Sequence, residues 1–337
     1  FKQKTAYEIR LSLVGSEMCI RDRIYIIIPN FNGLAHLELC YESLRKQSYK
    51  EFRIVLVDNN SSDSSVKFTE ESYPEVKILK LNFNTGFSVA VNEGIKYSLG
   101  NPDCKYILLL NNDTECDKFF LEELLKGFED KNTGSVACKM LNFYNRNIID
   151  DAGDFIKRKG SPYARGFGET DTGQYDKEEF IFGACAGAAI YSREVIEKAG
   201  YFDEDFFAYY EDVDFSFRMQ LCGYKCFYNP KAICYHKRGA TTSSKSGFQT
   251  MLCEKNLLAL RIKNYPALTL IKWFPYFFLI RFVRYYRFYR DHSADLFRSA
   301  VKGYFKGISE IPNSFRKRKK IQKLKSVSTE YIESLFK

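Results

Sequence analysis

Asp113 is the carboxylate whose neighbours point most directly to chemistry. It ends the triplet Asn111-Asn112-Asp113, directly after the uncharged run Tyr106–Leu110. One hard carboxylate flanked by two amides suits Mg2+ or Mn2+, ions that take oxygen ligands and keep positions open for a diphosphate. An Asn-Asp turn that caps the next helix uses the same residues. A second acidic centre is Glu211-Asp212, preceded by the aromatic wall Phe206-Phe207 and Tyr209-Tyr210. Sugar rings lay apolar C–H faces on aromatic rings, and a carboxylate beside such a wall can accept the proton of an attacking hydroxyl. Acids also suit the first turn of a helix, where the macrodipole favours negative charge. His236 stands alone after a strand-like run, where a histidine is more often structural. His36 lies on a helix without a partner in sequence and reads as a surface group.

The elements that would position these groups alternate along the chain. Tyr106–Leu110 has the continuous apolar character of a strand buried on both faces of a parallel sheet, where ligands sit beyond the carboxyl ends of the strands. Ile24–Ile28 is another such run, broken at Pro29-Asn30-Phe31-Asn32-Gly33 and followed by a helix over about residues 34–47. Ile54–Val57 ends in Asp58-Asn59-Asn60, Val76–Leu79 is a third strand, and Asn84-Thr85-Gly86 opens a helix to about Tyr97. This alternation predicts an α/β fold with right-handed crossovers. Pro29, Asn30, Asn32, Asp58 and Asn60 then line one crevice with Asp113. Asp58 can accept from a base N–H or a ribose hydroxyl, and Asn84 and Gly86 set backbone N–H groups at a helix start, where an anion is favoured. No G-x-G-x-x-G follows the first strand and no G-x-x-x-x-G-K-[ST] occurs, which argues against dinucleotide and P-loop sites.

In the second half, Asp151–Glu179 reads as a long polar loop, in which Arg165 is either a phosphate counter-charge or a solvated group. Phe182–Ile190 is a run of small residues, predicted as a tightly packed strand in which Gly187 leaves room for a sugar ring. A helix begins near Glu211, with Val213, Phe217 and Leu221 on its buried face. Lys225–Tyr228 and Ala232–Tyr235 are short strands joined at Asn229-Pro230.

In order, IYIIIPNFNG, IVLVDNNSSDSS, NTGFSVAVNEG and LLLNNDT resemble the family 2 glycosyltransferases, especially their rhamnosyltransferase-like branch. The resemblance runs from Ile24 to about Asn264. It implies a GT-A fold, a mostly parallel nucleotide-binding sheet flanked by helices, with a basic helical extension after it. It further implies a nucleotide-diphosphate sugar donor, a divalent ion (Mn2+ or Mg2+) and inversion at the anomeric carbon. The family's metal motif is D-x-D; here Asn111 takes its first place and Asp113 keeps the last, with Asn111 and Asn112 on the donor. The match puts the general base on Asp212, with Glu211 positioning the acceptor or Asp212. Tyr209, Tyr210 and Gly187 fall on the acceptor side. His236 would close the metal shell, its imidazole favouring Mn2+ over Mg2+. The loop with Arg165 would lie over the donor.

The ends of the chain differ in character from this body. Residues 1–23 match translated sequencing-library adapter and transposase-end sequence, so the native protein is expected to begin near Ile24. The ten cysteines lack metal-site spacing and are consistent with a reducing compartment, hence a cytoplasmic location. Of the net charge of +9, residues from Pro266 onward carry +11 and the rest −2. There, Arg281, Arg284, Arg287 and Arg290 recur among aromatics. That pattern predicts an interfacial helix with arginines towards anionic lipid, peripheral on the inner face of the plasma membrane; a helical subdomain packed on the catalytic domain is the alternative. No nucleic-acid module accompanies the charge. The acceptor expected is a glycan or lipid-linked glycan of a bacterial surface polysaccharide. A nucleotidyltransferase would carry a basic Gly-rich loop where PNFNG stands, and a non-catalytic nucleotide-binding membrane adaptor would not need intact Asp113, Asp212 and His236.

Overall fold

The computed structural model describes residues 23–157, 161–238, 247–291 and 294–337. Residues 1–22 of the adapter-like segment lie outside them, whereas Arg23 already begins the first strand. The first half alternates as its pattern predicts: β1 (Arg23–Asn30), α1 (Leu34–Arg45), β2 (Phe52–Asp58), α2 (Ser65–Ser72), β3 (Lys77–Lys80), α3 (Phe87–Leu99) and β4 (Cys104–Leu110). These four strands pair in parallel in the order β3-β2-β1-β4. Side chains alternate across the pleat, so Ile24, Ile26 and Ile28 join the core beneath α1, and Tyr25 and Ile27 the core beneath α3. Both faces are covered, which is why β1 shows no polar alternation. Gly94 lets α3 close on the sheet, since a Cβ there would stand 2.5 Å from Ile27 Cγ2.

Past β4 come β5 (Thr114–Cys116), α4 (Phe120–Lys126), β6 (Thr133–Asn142), β7 (Ile149–Asp151), β8 (Asp154–Ile156), β9 (Pro162–Ala164), β10 (Glu179–Ile181), β11 (Ala188–Ser192), α5 (Arg193–Ala199), α6 (Glu211–Leu221) and β12 (Lys225–His236). The large sheet runs β10-β12-β6-β11-β4-β1-β2-β3, with β5 on β12 and β7 on β6. β11 is antiparallel to both β4 and β6. The sheet is therefore mixed, and β4 is parallel to its neighbour on one side only. Three local expectations are corrected as well. The long loop contains the β8–β9 hairpin. Only the end of the small-residue run is a strand, because Phe182–Gly187 turns before β11, with Ala188 N–H donating to Cys185 O at 3.2 Å. The two short strands are one, β12, whose ladder shifts between Asn229 and Ile233, where Pro230 has no N–H to give.

α7 (Gly247–Asn264) ends the body, and the tail after it forms α8 (Ala267–Arg290), α9 (Ala294–Ser309), α10 (Ile311–Ile321) and α11 (Thr329–Ser334). It does not hang free. Leu257, Leu260, Tyr265 and Phe277 share a core with Val213, Phe217 and Leu221 of α6. Lys337 N–H donates to Ile156 O at 2.8 Å, joining the end of the chain to β8. The arginine pattern divides. Arg281 turns inward onto Glu254 at 3.1 Å, because that carboxylate is only 2% exposed and a buried charge needs partners, and Arg284 reaches it at 2.8 Å from a half-exposed position. Arg287 and Arg290 stay exposed. Among the described residues no helix is long and apolar enough to cross a membrane.

α7 is bolted to α6 and to the segment before it by buried charge. Lys263 Nζ pairs with Asp203 and, at 2.8 Å, with Asp214, and Asn264 Nδ2 donates to Asp214 Oδ1 at 2.6 Å. The Lys263 and Asp214 side chains are 2% and 0% exposed. Arg218 still pairs with Asp214 and Lys317 with Asp203, but each buried carboxylate loses one hydrogen-bonded partner, so Lys263→Ala is expected to destabilise the protein by about 1–3 kcal/mol. Urea unfolding of the two proteins measures this; a loss below about 1 kcal/mol would show that the network is not what holds α7.

Candidate active site

The carboxyl ends of β1, β2 and β4 meet in a seam of side-chain hydrogen bonds. Asn30 Nδ2 donates to Asp58 Oδ1 (3.1 Å), Ser61 Oγ (3.1 Å) and Ser65 Oγ (2.9 Å), while Asn30 Oδ1 accepts from Asn112 Nδ2 (2.8 Å). Asp58 Oδ2 accepts from Ser61 N–H at 3.1 Å. Asn30, Asp58 and Asn112 thus come together as expected, but their polar atoms are turned on one another and form the floor of the crevice. Gly33 permits this, since a Cβ there would lie 2.0 Å from Asn112 Nδ2. Pro29 is half-buried within β1. Asn32 and Asn60 are exposed and left-handed, at φ 52° and 65°. Asn32 Oδ1 accepts from Ser62 N–H at 2.8 Å.

The start of α3 is already capped by protein. Phe87 and Ser88 N–H groups donate to Phe207 O at 2.6 and 3.2 Å, so they are not free for an anion. Asn84 Oδ1 accepts from Gly86 N–H, and Gly86, at φ 83°, lies where a Cβ would meet the Phe207 ring at 2.5 Å. Arg165 is likewise committed away from the donor side. Its Nη1 pairs with Glu179, its Nε donates to Ala152 O at 2.8 Å, and its guanidinium lies 4.8–4.9 Å from the Phe155, Tyr175 and Tyr228 ring centres. A charge inside an aromatic cage gains from packing and cation–π attraction, which sequence spacing cannot show.

Asp113 and His236 do meet. Their strands are neighbours, since Thr114 of β5 pairs with His236 of β12. His236 Nε2 lies 3.2 Å from Asp113 Oδ1, and Nδ1 lies 2.7 Å from Asp150 Oδ2, whose other oxygen pairs with Arg238 Nε at 2.8 Å. Burial alone would lower the His236 pKa, but the Asp113 and Asp150 carboxylates override it and raise it to about 9. Two adjacent ligands of an octahedral ion with bonds of about 2.1 Å stand about 3.0 Å apart, so the Asp113–His236 pair fits one edge of such a shell. Among the described residues no group of three or more His, Cys, Asp or Glu side chains could hold an ion. An ion here would draw its other ligands from diphosphate and water. His36, expected at the surface, is half-buried, with Nδ1 3.5 Å from Lys237 Nζ, and its pKa is lowered first by burial and then by Lys237.

Two consecutive backbone groups join this centre to the acidic pair. Gly187 O accepts from Asn111 N–H at 2.9 Å, and Ala186 N–H donates to Asp212 Oδ2 at 3.3 Å. Asp212 Oδ1 also accepts from Val213 N–H at 2.8 Å. Burial raises the Asp212 pKa against the pull of these N–H groups. Glu211 is buried, its Oε2 has no protein partner among the described residues, and burial with the nearby Asp212 charge raises it well above the carboxylate range. Asp151 and Asp154 add to the cluster. Burial lifts Asp151 to about 7 despite the Gly153 N–H bond, and burial with the Asp212 charge raises Asp154 well above its ordinary value.

The aromatic segment before the acids is strained. Phe207, Tyr209 and Tyr210 have φ of 62°, 71° and 69°, a region costly for bulky residues. Asn256 of α7 holds it, donating from Nδ2 to Phe206 O, Ala208 O and Tyr209 O at 3.0, 2.9 and 2.8 Å. Asp150, Lys237, Arg238 and Asn256 were not singled out by sequence reasoning. The Asp150-Asp151 pair and the Lys-Arg step after His236 were available signals; nothing distinguished a mid-helix Asn256.

A family model described as glycosyl transferase family 2 matches residues 25–200, more than half of the chain. The chain belongs to this family. It is 28% identical over 202 residues to the low-salt glycan biosynthesis hexosyltransferase of Haloferax volcanii, covering 59% of this chain and 62% of that protein, hence less than two thirds of the relative's length. Against the N-acetylglucosaminyl-diphospho-decaprenol L-rhamnosyltransferase of Mycobacterium tuberculosis it is 22% identical over 244 residues, covering 66% and 78%. Among solved structures, the mannosyltransferase from Pyrobaculum calidifontis in complex with GDP-Man and Mn2+ superposes with a TM-score of 0.52 at 15% identity, covering 94% of this chain and 79% of that one. The fold is GT-A.

In the metal-free protein His236 is expected to stay cationic through neutral pH and lose its proton near pH 9. Because this folded value is raised above the unfolded one of about 6.5, its contribution to stability is full below that pH and is lost as pH rises through about 9. Imidazole NMR signals followed against pH test this; a midpoint at or below about 6.5 would refute the doubly paired imidazolium.

Proposed function

We propose that the protein is an inverting, metal-assisted glycosyltransferase that moves a sugar from a nucleotide-diphosphate donor to a hydroxyl of a glycan or lipid-linked glycan, in polysaccharide synthesis at the cytoplasmic face of a membrane. The observation that carries this reading is the Ala186-Gly187 step. One residue holds Asp212 and the next holds Asn111, so base and metal motif are spaced by a single rigid segment.

Asp212 takes the acceptor hydroxyl proton as that oxygen attacks the anomeric carbon. The new C–O bond forms opposite the breaking bond, whose electron pair leaves with the nucleoside diphosphate. Burial strengthens Asp212 as a base by raising its proton affinity, and its two backbone N–H bonds keep it aimed. Asp113 and His236 would hold the divalent ion, which when bound neutralises charge on the departing diphosphate. Lys237 and Arg238 add positive charge beside the same place. Tyr209 belongs to the Phe207–Tyr210 turn on the side expected for the acceptor, whereas Tyr210 packs against the core shared with the C-terminal helices and the space beside Gly187 is taken by Asn111, Met140 and Cys185. Glu211, buried beside Asp212, positions the acceptor or Asp212. Asn60 and Asn32, exposed at the crevice rim, and Asn30, Asp58 and Asn112 beneath them shape the nucleotide side. The Mycobacterium relative, whose name specifies a decaprenol-linked glycan as substrate, supports a lipid-linked acceptor.

Asp212→Asn is expected to keep donor affinity while turnover falls at least ~100-fold. Nucleoside diphosphate release with thymidine- and uridine-diphosphate sugars, with Mn2+ and a bacterial lipid extract, measures it; near-normal turnover would remove Asp212 as the base. A second expectation concerns the ion alone. Asp150 orients His236, as outer partners of metal-bound imidazoles do, so Asp150→Asn should weaken Mn2+ binding by about 10–100-fold. Calorimetric titration of Mn2+ in the absence of donor reads this directly, and unchanged affinity would sink the metal assignment to His236.

A further inference from the structure

A cavity of about 600 Å3 opens between the start of α8 and the α10–α11 region, away from the candidate active site. Leu268 and Phe315 line it on the apolar side, and Arg318, Lys319 and Lys325 on the other; among the described residues no carboxylate lines it. Arg318 is fixed in place, its Nη1 donating to Ile262 O and Tyr265 O at 2.7 Å each. Among the described residues neither Arg318 nor Lys319 pairs with an acid, and burial lowers the Arg318 pKa, a desolvation that no carboxylate offsets. Lys325 directs one bond to Thr329 Oγ1 at 2.7 Å. The site asks for an anion with apolar surface attached.

Leu268 also begins an exposed stripe. Leu268, Ile271, Phe274, Phe278, Phe282 and Tyr286 follow one another along α8 at steps of three and four, which keeps them on one face, and all are exposed. Arg281 faces inward and the half-exposed Arg284 is paired with Glu254, so this face meets solvent chiefly with aromatic and aliphatic groups. A 24-residue helix is about 36 Å long, and one laid flat suits the boundary between headgroups and acyl chains.

We propose that this pocket binds the phosphate headgroup of an anionic membrane lipid while the α8 stripe lies in the neighbouring acyl layer. The assignment rests on the membrane-side reading above and deepens it: the pocket cations, rather than the α8 arginines at 281 and 284, recognise the lipid charge. Charge complementarity selects a lipid over a second copy of this chain, because the pocket is cationic without a lining acid among the described residues and the residues from Pro266 onward carry +11.

The test is co-sedimentation of the full chain with vesicles of phosphatidylcholine alone or mixed with phosphatidylglycerol. The chain should prefer the anionic vesicles, and Lys319→Glu with Lys325→Glu should lower that partition by at least about tenfold. Phe274→Asp with Phe278→Asp should reduce binding to both compositions. Nucleoside diphosphate release from the donor in solution should be unchanged by either pair, which separates failure of this proposal from failure of the transferase reading. Equal binding of the wild-type chain to the two compositions would overturn the proposal without any variant. So would full competition by soluble glycerol phosphate, which would make this a small-anion pocket. A lipid-free dimer in sedimentation velocity that Phe274→Asp dissolves, with no vesicle binding, would give the stripe to a second copy instead.

Discussion

The structure depends on polar groups satisfied inside the sheet at the ends of its central strands. Asn30 is 1% exposed and spends its amide on Asp58, Ser61, Ser65 and Asn112. A buried amide without such partners would cost about 1–3 kcal/mol for each group left unpaired. The seam therefore sets how β4 ends, and so where Asp113 stands. Through Asn111 N–H it reaches Gly187, and through Ala186 it reaches Asp212. Asn111–Asp113 and the acidic pair are parts of one hydrogen-bonded chain.

The other half of the site is held from behind by α7, with Lys317 of the tail adding a second cation on Asp203. Three left-handed aromatic residues precede the acids, and a turn of that kind persists only where its surroundings over-determine it. Asn256 supplies three bonds from one amide, Phe207 O caps α3, and Lys263 fixes α7 to Asp203 and Asp214. The basic tail thus has an inward face that is structural. Its outward face, with the Leu268–Tyr286 stripe and the cationic cavity, is the part open to a partner.

Charge is distributed with the same logic. Carboxylates near Asp212 are buried close together, so Asp151, Asp154 and Glu211 hold protons more tightly than ordinary acids. At the β4–β12 end, carboxylates are instead matched by His236 and Arg238. A cluster of buried carboxylates and a cation-bearing region therefore lie side by side.

By itself the sequence determined the strand–helix alternation up to β4, the polar strand ends and the start of α6. Those features follow from local apolar runs and turn residues, which act over a few positions. The order of the motifs was also enough to recognise the family. Tertiary structure alone decided what each polar group faces. It reversed the sheet direction at β11, spent the α3 N–H groups on Phe207, caged Arg165 among aromatics, and paired Arg281 and Arg284 with Glu254. It also brought Asp150 to His236 across 86 positions. Such partnerships depend on which strands become neighbours, and a pair contact between distant residues leaves no period in either segment.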